Sequence, residues 1–213
     1  MREETNNRVT MCGTISSKPT FNHEVYTEKF YNFNVEIKRL SENTDTIRCV
    51  ISDRLVDVSK FDEGSQVKIT GKLRTFNERK GENGKAFLQV YVFVDSIEDV
   101  EEVKTLNNVY LDGFVCKKPT YRNTASGREI TDVLVAVNRP YGKSDYIPCI
   151  CWGRDARYVS SEVEVGQPIR IKGRIQSRDY IKRISDTETI TKTAYEVSAS
   201  VVETCFKEEE TEE

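Results

Sequence analysis

Tyr146-Ile-Pro-Cys-Ile-Cys-Trp152 alternates strictly between two kinds of side chain. Ile147, Cys149 and Cys151 fall on one side, and Tyr146, Pro148, Ile150 and Trp152 on the other. A period of two is that of a β-strand. Large aromatics on the face away from the small apolar residues have no core of their own to fill. One hundred positions earlier the chain reads Thr46-Ile-Arg-Cys-Val-Ile-Ser52, with the same inner parity and no ring at either end.

The correspondence extends along the whole chain. Gly13, Lys18, Pro19, Thr20 and Phe21 recur as Gly113, Lys118, Pro119, Thr120 and Tyr121, and Arg39 and Cys49 recur as Arg139 and Cys149. The offset of 100 becomes 102 at Gly64/Gly166 and Gly71/Gly173, and 104 at Tyr91/Tyr195, as unequal loops would cause. A repeat of this length is a duplicated domain, since solenoid units run to roughly 20–50 residues. The expected division is 1–102, 103–205 and an acidic tail at 206–213.

Alternation predicts strands at 7–15, 28–38, 45–51, 66–76 and 86–97, and again at 107–116, 129–138, 145–152, 167–178 and 190–203. Short helices are expected near 54–60 and 154–161. Five strands with a helix between the third and fourth is the order of an OB-fold, so the fold class is all-β, with two tandem five-stranded OB-fold barrels. Gly13, Gly71, Gly113 and Gly173 interrupt strands where a barrel bends. Phe87-Leu-Gln-Val-Tyr-Val-Phe-Val94 is apolar on both faces, so its second face should meet another domain or another chain.

The 213 residues are 31% charged and 37% hydrophobic, which describes domains with modest cores. No run approaches the roughly 20 apolar residues of a membrane helix, and no secretory run follows Met1, so a cytoplasmic location is expected. The six cysteines contain no C-x-x-C and the sole histidine is His23, so the cysteines read as small buried hydrophobes and no metal is expected. No phosphate loop or nucleophile–base pair is present, which leaves no catalytic residue and no cofactor. Net charge is −3, but residues 206–213 hold five acids and one lysine, and residues 101–205 carry 16 Lys+Arg against 14 Asp+Glu. The second copy is therefore weakly basic.

The strand at 167–178 sets Ile169, Ile171 and Ile175 inward and Arg170, Lys172, Arg174 and Arg178 outward, with Tyr180 beyond. A basic face interleaved with aromatic platforms is how single nucleic-acid strands are held. The first copy shows Lys68, Lys72, Arg74 and Phe76 on the corresponding parity, a basic edge with one ring.

The second copy resembles the bacterial single-stranded DNA-binding protein family. The likeness is carried by Asn108-Val-Tyr-Leu-Asp-Gly-Phe-Val115, Lys118-Pro119, Val135-Ala-Val-Asn-Arg-Pro-Tyr141, Asp145 to Trp152, Gly166 to Gly173 and Arg174-Ile-Gln-Ser-Arg-Asp-Tyr180. The resemblance implies sequence-tolerant binding of single-stranded DNA in replication, recombination or repair. It places the base-stacking stations on Tyr141, Tyr146, Trp152 and Tyr180, with Arg139 beside them. In the first copy the stations of Tyr141, Tyr146 and Trp152 read Ser41, Thr46 and Ser52, which marks a degenerate copy expected to bind more weakly.

Family members with one barrel per chain assemble four, so a homodimer is expected here, with replication or repair proteins as further partners. The family's tails end in an apolar tip, whereas this one ends in acid. Two other readings use the same fold: an assembly protein of replication restart, and an RNA- or tRNA-binding module.

Overall fold

The structure is a computed structural model that describes residues 5–79, 86–183 and 189–204. The first barrel is built from β1 (Asn7–Ile15), β2 (Thr20–Val25), β3 (Glu28–Lys38), β4 (Thr44–Ser52), β5 (Gln66–Arg79) and β6 (Ala86–Asp99). The second repeats it with β7 (Asn107–Val115), β8 (Thr120–Asn123), β9 (Glu129–Asn138), β10 (Ser144–Trp152), α1 (Gly153–Glu162), β11 (Pro168–Arg183) and β12 (Thr189–Glu203). The ten expected strands are present, and the chain folds as two OB-fold barrels. Strands β2 and β8 are additions. Every residue in them is exposed, so they carry no apolar alternation, and they form by hairpin pairing on β3 and β9. The expected acidic tail at 206–213 lies outside the described residues. Among the described residues no helix is long and apolar enough to cross a membrane.

Closure is the same in both copies. Strand β1 reaches β3 through Ile15↔Val35, and β7 reaches β9 through Val115↔Val135. Parallel contacts Cys49↔Val92 and Cys149↔Val197 complete each barrel. Gly13 and Gly113 sit where the first strand crosses the third. A Cβ there would lie well inside van der Waals contact of the Glu36 and Ala136 carbonyl oxygens, so the close approach requires glycine.

Inner-parity residues form the cores. Met11, Ile47, Cys49, Ile69 and Leu73 in the first barrel, and Leu111, Ile147, Cys149, Cys151 and Ile171 in the second, are at most 1% exposed. Each fully buried aliphatic side chain contributes roughly 1.5–3 kcal/mol. Burial pushes the Cys149 thiol well above its ordinary range and that of Cys151 up to about 12, as expected of inert core thiols.

Helix α1 packs Ala156 and Val159 inward, and the Thr131 hydroxyl donates to the Ala156 carbonyl (2.7 Å). In the first barrel the expected helix shrinks to a single 3₁₀ turn, Val58–Lys60, capped by Asp57. The offset of 102 beyond this point means the first copy has two fewer residues here, and Val56 and Val58 are poor helix formers.

The two barrels share one sheet. Strand β1 pairs antiparallel with β7 through Asn7↔Leu111, Val9↔Val109 and Met11↔Asn107, so a pseudo-twofold axis passes near Val9 and Val109. The apolar second face of β6 is met within the chain. Phe93 contacts Phe30 (ring centroids 6.0 Å), Tyr91 contacts Phe76 (5.9 Å), and Lys192 Nζ of the second barrel lies 3.5 Å from the Phe87 ring centroid.

Candidate nucleic-acid interface

On the second barrel, β10 presents Tyr146 at 45% exposure and Trp152 half-buried at its end. Trp152 Nε1 donates to Ser198 Oγ on β12 (3.0 Å), which fixes the indole plane while leaving part of the ring open. Ser198 is directly opposite Arg174 on β11. Arg174 is exposed and has no ion-pair partner among the described residues. Further along β11, the Arg178 guanidinium lies 6.0 Å from the Tyr180 ring centroid and pairs with Glu196 (3.6 Å). Tyr180 is 37% exposed and lies within β11, because that strand runs to Arg183. Tyr141 is fully exposed in the loop after β9 with φ +68°, a left-handed conformation that costs a bulky residue energy and holds the ring out in solvent.

The remaining cations are committed to carboxylates. Arg170 pairs with Asp112 (2.7 Å), Lys172 with Glu203 (3.4 Å), Lys68 with Glu98 (3.5 Å) and Lys72 with Asp95 (3.4 Å). The Arg170–Asp112 pair is half-buried, and the three lysine pairs are exposed ones of small net worth that a phosphate can compete for.

Arg139 and Arg74 depart further from the expected phosphate contacts. Both bind one carboxylate, Asp145, which is wholly buried. Arg139 Nε donates to Asp145 Oδ2 (2.6 Å), its Nη2 donates to Oδ1, and Arg74 Nη1 donates to Oδ2 (3.0 Å). The Thr75 backbone N–H donates to Oδ1 (2.6 Å), and Arg139 Nη2 donates to the Thr75 carbonyl (3.2 Å).

Across the pseudo-twofold axis, Arg39 holds Asp45, which accepts from the Ser177 N–H (2.7 Å), and Arg39 Nη2 donates to the Ser177 carbonyl (3.1 Å). The hydrogen bond to the carboxylate raises the pKa of both arginines. These residues clasp one barrel to the other. The sequence reading used Arg39 and Arg139 as markers of the repeat, placed Arg139 beside the stacking stations, and overlooked the signal next to them, an aspartate six residues on in each copy.

Register corrects one alignment. Leu73 is opposite Val92 and Ile175 is opposite Val197, so the last strands correspond at an offset of 105 rather than 104. The second hairpin is three residues longer than the first, and one residue of slip reverses every face. Tyr91 therefore corresponds to Glu196, and Phe93 to Ser198.

This register reveals rings that sequence reasoning missed. Around Trp152 stand Ile130 on β9 and Ser198 on β12; around Ser52 stand Phe30 on β3 and Phe93 on β6. His23 stacks on Phe30 at 4.7 Å with an interplanar angle of 11°. Phe76, the one ring the sequence places on this face, is 43% exposed and meets Tyr91 edge-on.

The profile of the single-strand binding protein family matches residues 106–204. The single-stranded DNA-binding protein of Oceanobacillus iheyensis is 32% identical over 81 residues, 35% of this chain and 50% of that protein. Single-stranded DNA-binding protein 3 of Listeria innocua is 32% identical over 95 residues, 40% of this chain and 59% of that protein. The chain thus spans about half the length of the relatives it matches. A deletion variant of the single-stranded DNA binding protein from Thermus aquaticus superposes with a TM-score of 0.73 over 97% of this chain and 98% of that one. At 19% identity, that likeness speaks for the fold, and it extends over both barrels. The likeness to the single-strand binding protein family thus lies in the second barrel, residues 106–204, and the likeness of the first barrel is one of fold.

Proposed function

We propose that this protein binds single-stranded DNA without strong sequence preference and keeps it unpaired during replication, recombination or repair in the cytoplasm. The observation that carries the reading is the outer face of the second barrel, where Tyr146, Trp152 and Tyr180 are interleaved with Arg174 and Arg178. Stacking accepts any base, because every base has a π-face, and each stacked base contributes roughly 1–3 kcal/mol. The arginines track phosphate, and Tyr141 extends the row from its strained loop. No bond is made or broken; the mechanism is sequestration. Affinities for oligo(dT), the matching duplex and tRNA at one salt concentration test the reading. A clear preference for oligo(dT) is expected, and equal or tighter binding of tRNA would overturn it.

Assembly belongs to the same proposal. One chain already joins two barrels through β1 and β7, and a homodimer would set four on one strand of DNA. Exposed apolar side chains at Phe114 (46%) and Val201 (42%) support a further contact. Light scattering after gel filtration should give twice the chain's own 24.5 kDa at micromolar concentration. A mass near 24.5 kDa would exclude the dimer.

A further inference from the structure

We propose that the first barrel carries a base-stacking station of its own, made of His23, Phe30 and Phe93 and flanked by Lys72. It rests on the reading of the chain as a single-strand DNA binder and extends the site to a surface whose aligned positions are blank.

In the second barrel the station is Trp152, set between β9 and β12, bonded to Ser198 and opposite Arg174 across β12. In the first, Ser52 takes the place of Trp152, and the aromatic volume has moved to both neighbours. Phe30 is directly opposite Ser52 on β3, where the second barrel has Ile130 opposite Trp152. Phe93 on β6 occupies the place of Ser198, and Lys72 is opposite Phe93 as Arg174 is opposite Ser198. One indole on the central strand is thus replaced by two phenyl rings 6.0 Å apart on the flanking strands, with a cation kept at the same rung.

His23 supplies the feature that packing alone does not explain. Its counterpart by pairing is Arg122, which is tied to Asp132. His23 is exposed, yet its ring lies nearly parallel to Phe30 at 4.7 Å. The outer face of the imidazole is open, so an arriving base continues a column of His23 and Phe30. Stacking of this kind is indifferent to base identity, which fits a single strand rather than a duplex.

Nearby acid limits the site on one side. Ser52 Oγ donates to Glu28, and Glu28 also pairs with Arg54 (3.6 Å), so phosphate is expected along the Lys72 side of the column.

The test uses the full chain with oligo(dT) of roughly 30 nucleotides, long enough for two barrels at ~4–16 nucleotides each. With 5-iododeoxyuridine placed along the strand, photo-crosslinks mapped by mass spectrometry should appear at His23 or Phe30 as well as on the second barrel. His23→Ala and the double variant His23→Ala/Phe93→Ser should weaken binding, the double by about tenfold, while full quenching of Trp152 is still reached at saturation. That retained quenching shows the second barrel to be intact, and His23→Ala, at an exposed residue, keeps the test independent of folding. Quenching with no crosslink at His23 or Phe30 and unchanged affinity of His23→Ala would overturn this station alone. Absence of both quenching and binding in the unaltered chain would overturn the binding proposal and the station together.

Discussion

The two barrels have the same strands, closure glycines and Arg–Asp pairs of the clasp, but they carry their rings in different places. In the second, rings stand on the central strand and the arm: Tyr146, Trp152 and Tyr180. In the first, the central strand offers Thr46, Arg48 and Ser52, and the rings stand on the strands to either side: His23 on β2, Phe30 on β3, Tyr91 and Phe93 on β6, and Phe76 on β5. The scaffold constrains the inner face tightly, because a barrel interior must be filled. The outer face only needs some surface at a given place, and different strands can provide it. Position-by-position comparison therefore understates what a divergent copy retains.

The largest asymmetry to test lies in the clasps. Asp145 is wholly buried and neutralises Arg139 and Arg74, whereas Asp45 holds Arg39 and the Ser177 N–H. Removing one partner of a buried pair strands the others, at a cost of about 3–5 kcal/mol. Asp145→Ala should lose that much in urea unfolding of the full chain. Asp45→Ala should lose less, because one arginine is stranded rather than two. Equal losses would mean that Arg74 contributes little to the clasp.

Next in size is the loop station. Tyr141→Ala should weaken oligo(dT) binding about fivefold or more, the lower end of the stacking range. Ser41→Ala, at the equivalent place in the first barrel, should change nothing measurable by titration. An equal effect of both variants would contradict the assignment of Tyr141 as a platform.

The smallest expected effect concerns charge. Arg174 is exposed without an ion-pair partner among the described residues, while Lys72 must first give up Asp95. Each phosphate contact on a single strand contributes about −0.7 to the slope of log affinity against log salt. Arg174→Gln should make the slope shallower by roughly that amount, and Lys72→Gln by less. A larger change from Lys72→Gln would reverse the ranking of the two faces.

Most of the fold was legible because ten of the strands bury one face and alternate accordingly. Strands β2 and β8 were not, because wholly exposed strands have no apolar period to read. Of the site, Tyr146 and Trp152 could be placed by parity along one short strand. Arg139 and Arg74 could not, because a buried partner turns a surface cation into an internal tie, and parity is silent about what a side chain meets. His23, Phe30 and Phe93 were hidden for another reason. His23 and Phe30 meet across a hairpin whose exposed first strand has no apolar period. Phe93 joins them only through pairing between strands far apart in sequence, and the offset of 105 in the last strand becomes visible only through its hydrogen-bond register.

Trp152 is the sole tryptophan in the chain, which makes it a direct reporter of the proposed binding face. Titrating the full chain with oligo(dT) at low salt while following its emission tests the central claim. Stacking of a base on the open part of the indole predicts saturable quenching that weakens as salt is raised. Unchanged emission at a concentration where the oligonucleotide is demonstrably bound would contradict the account and move the DNA to another surface.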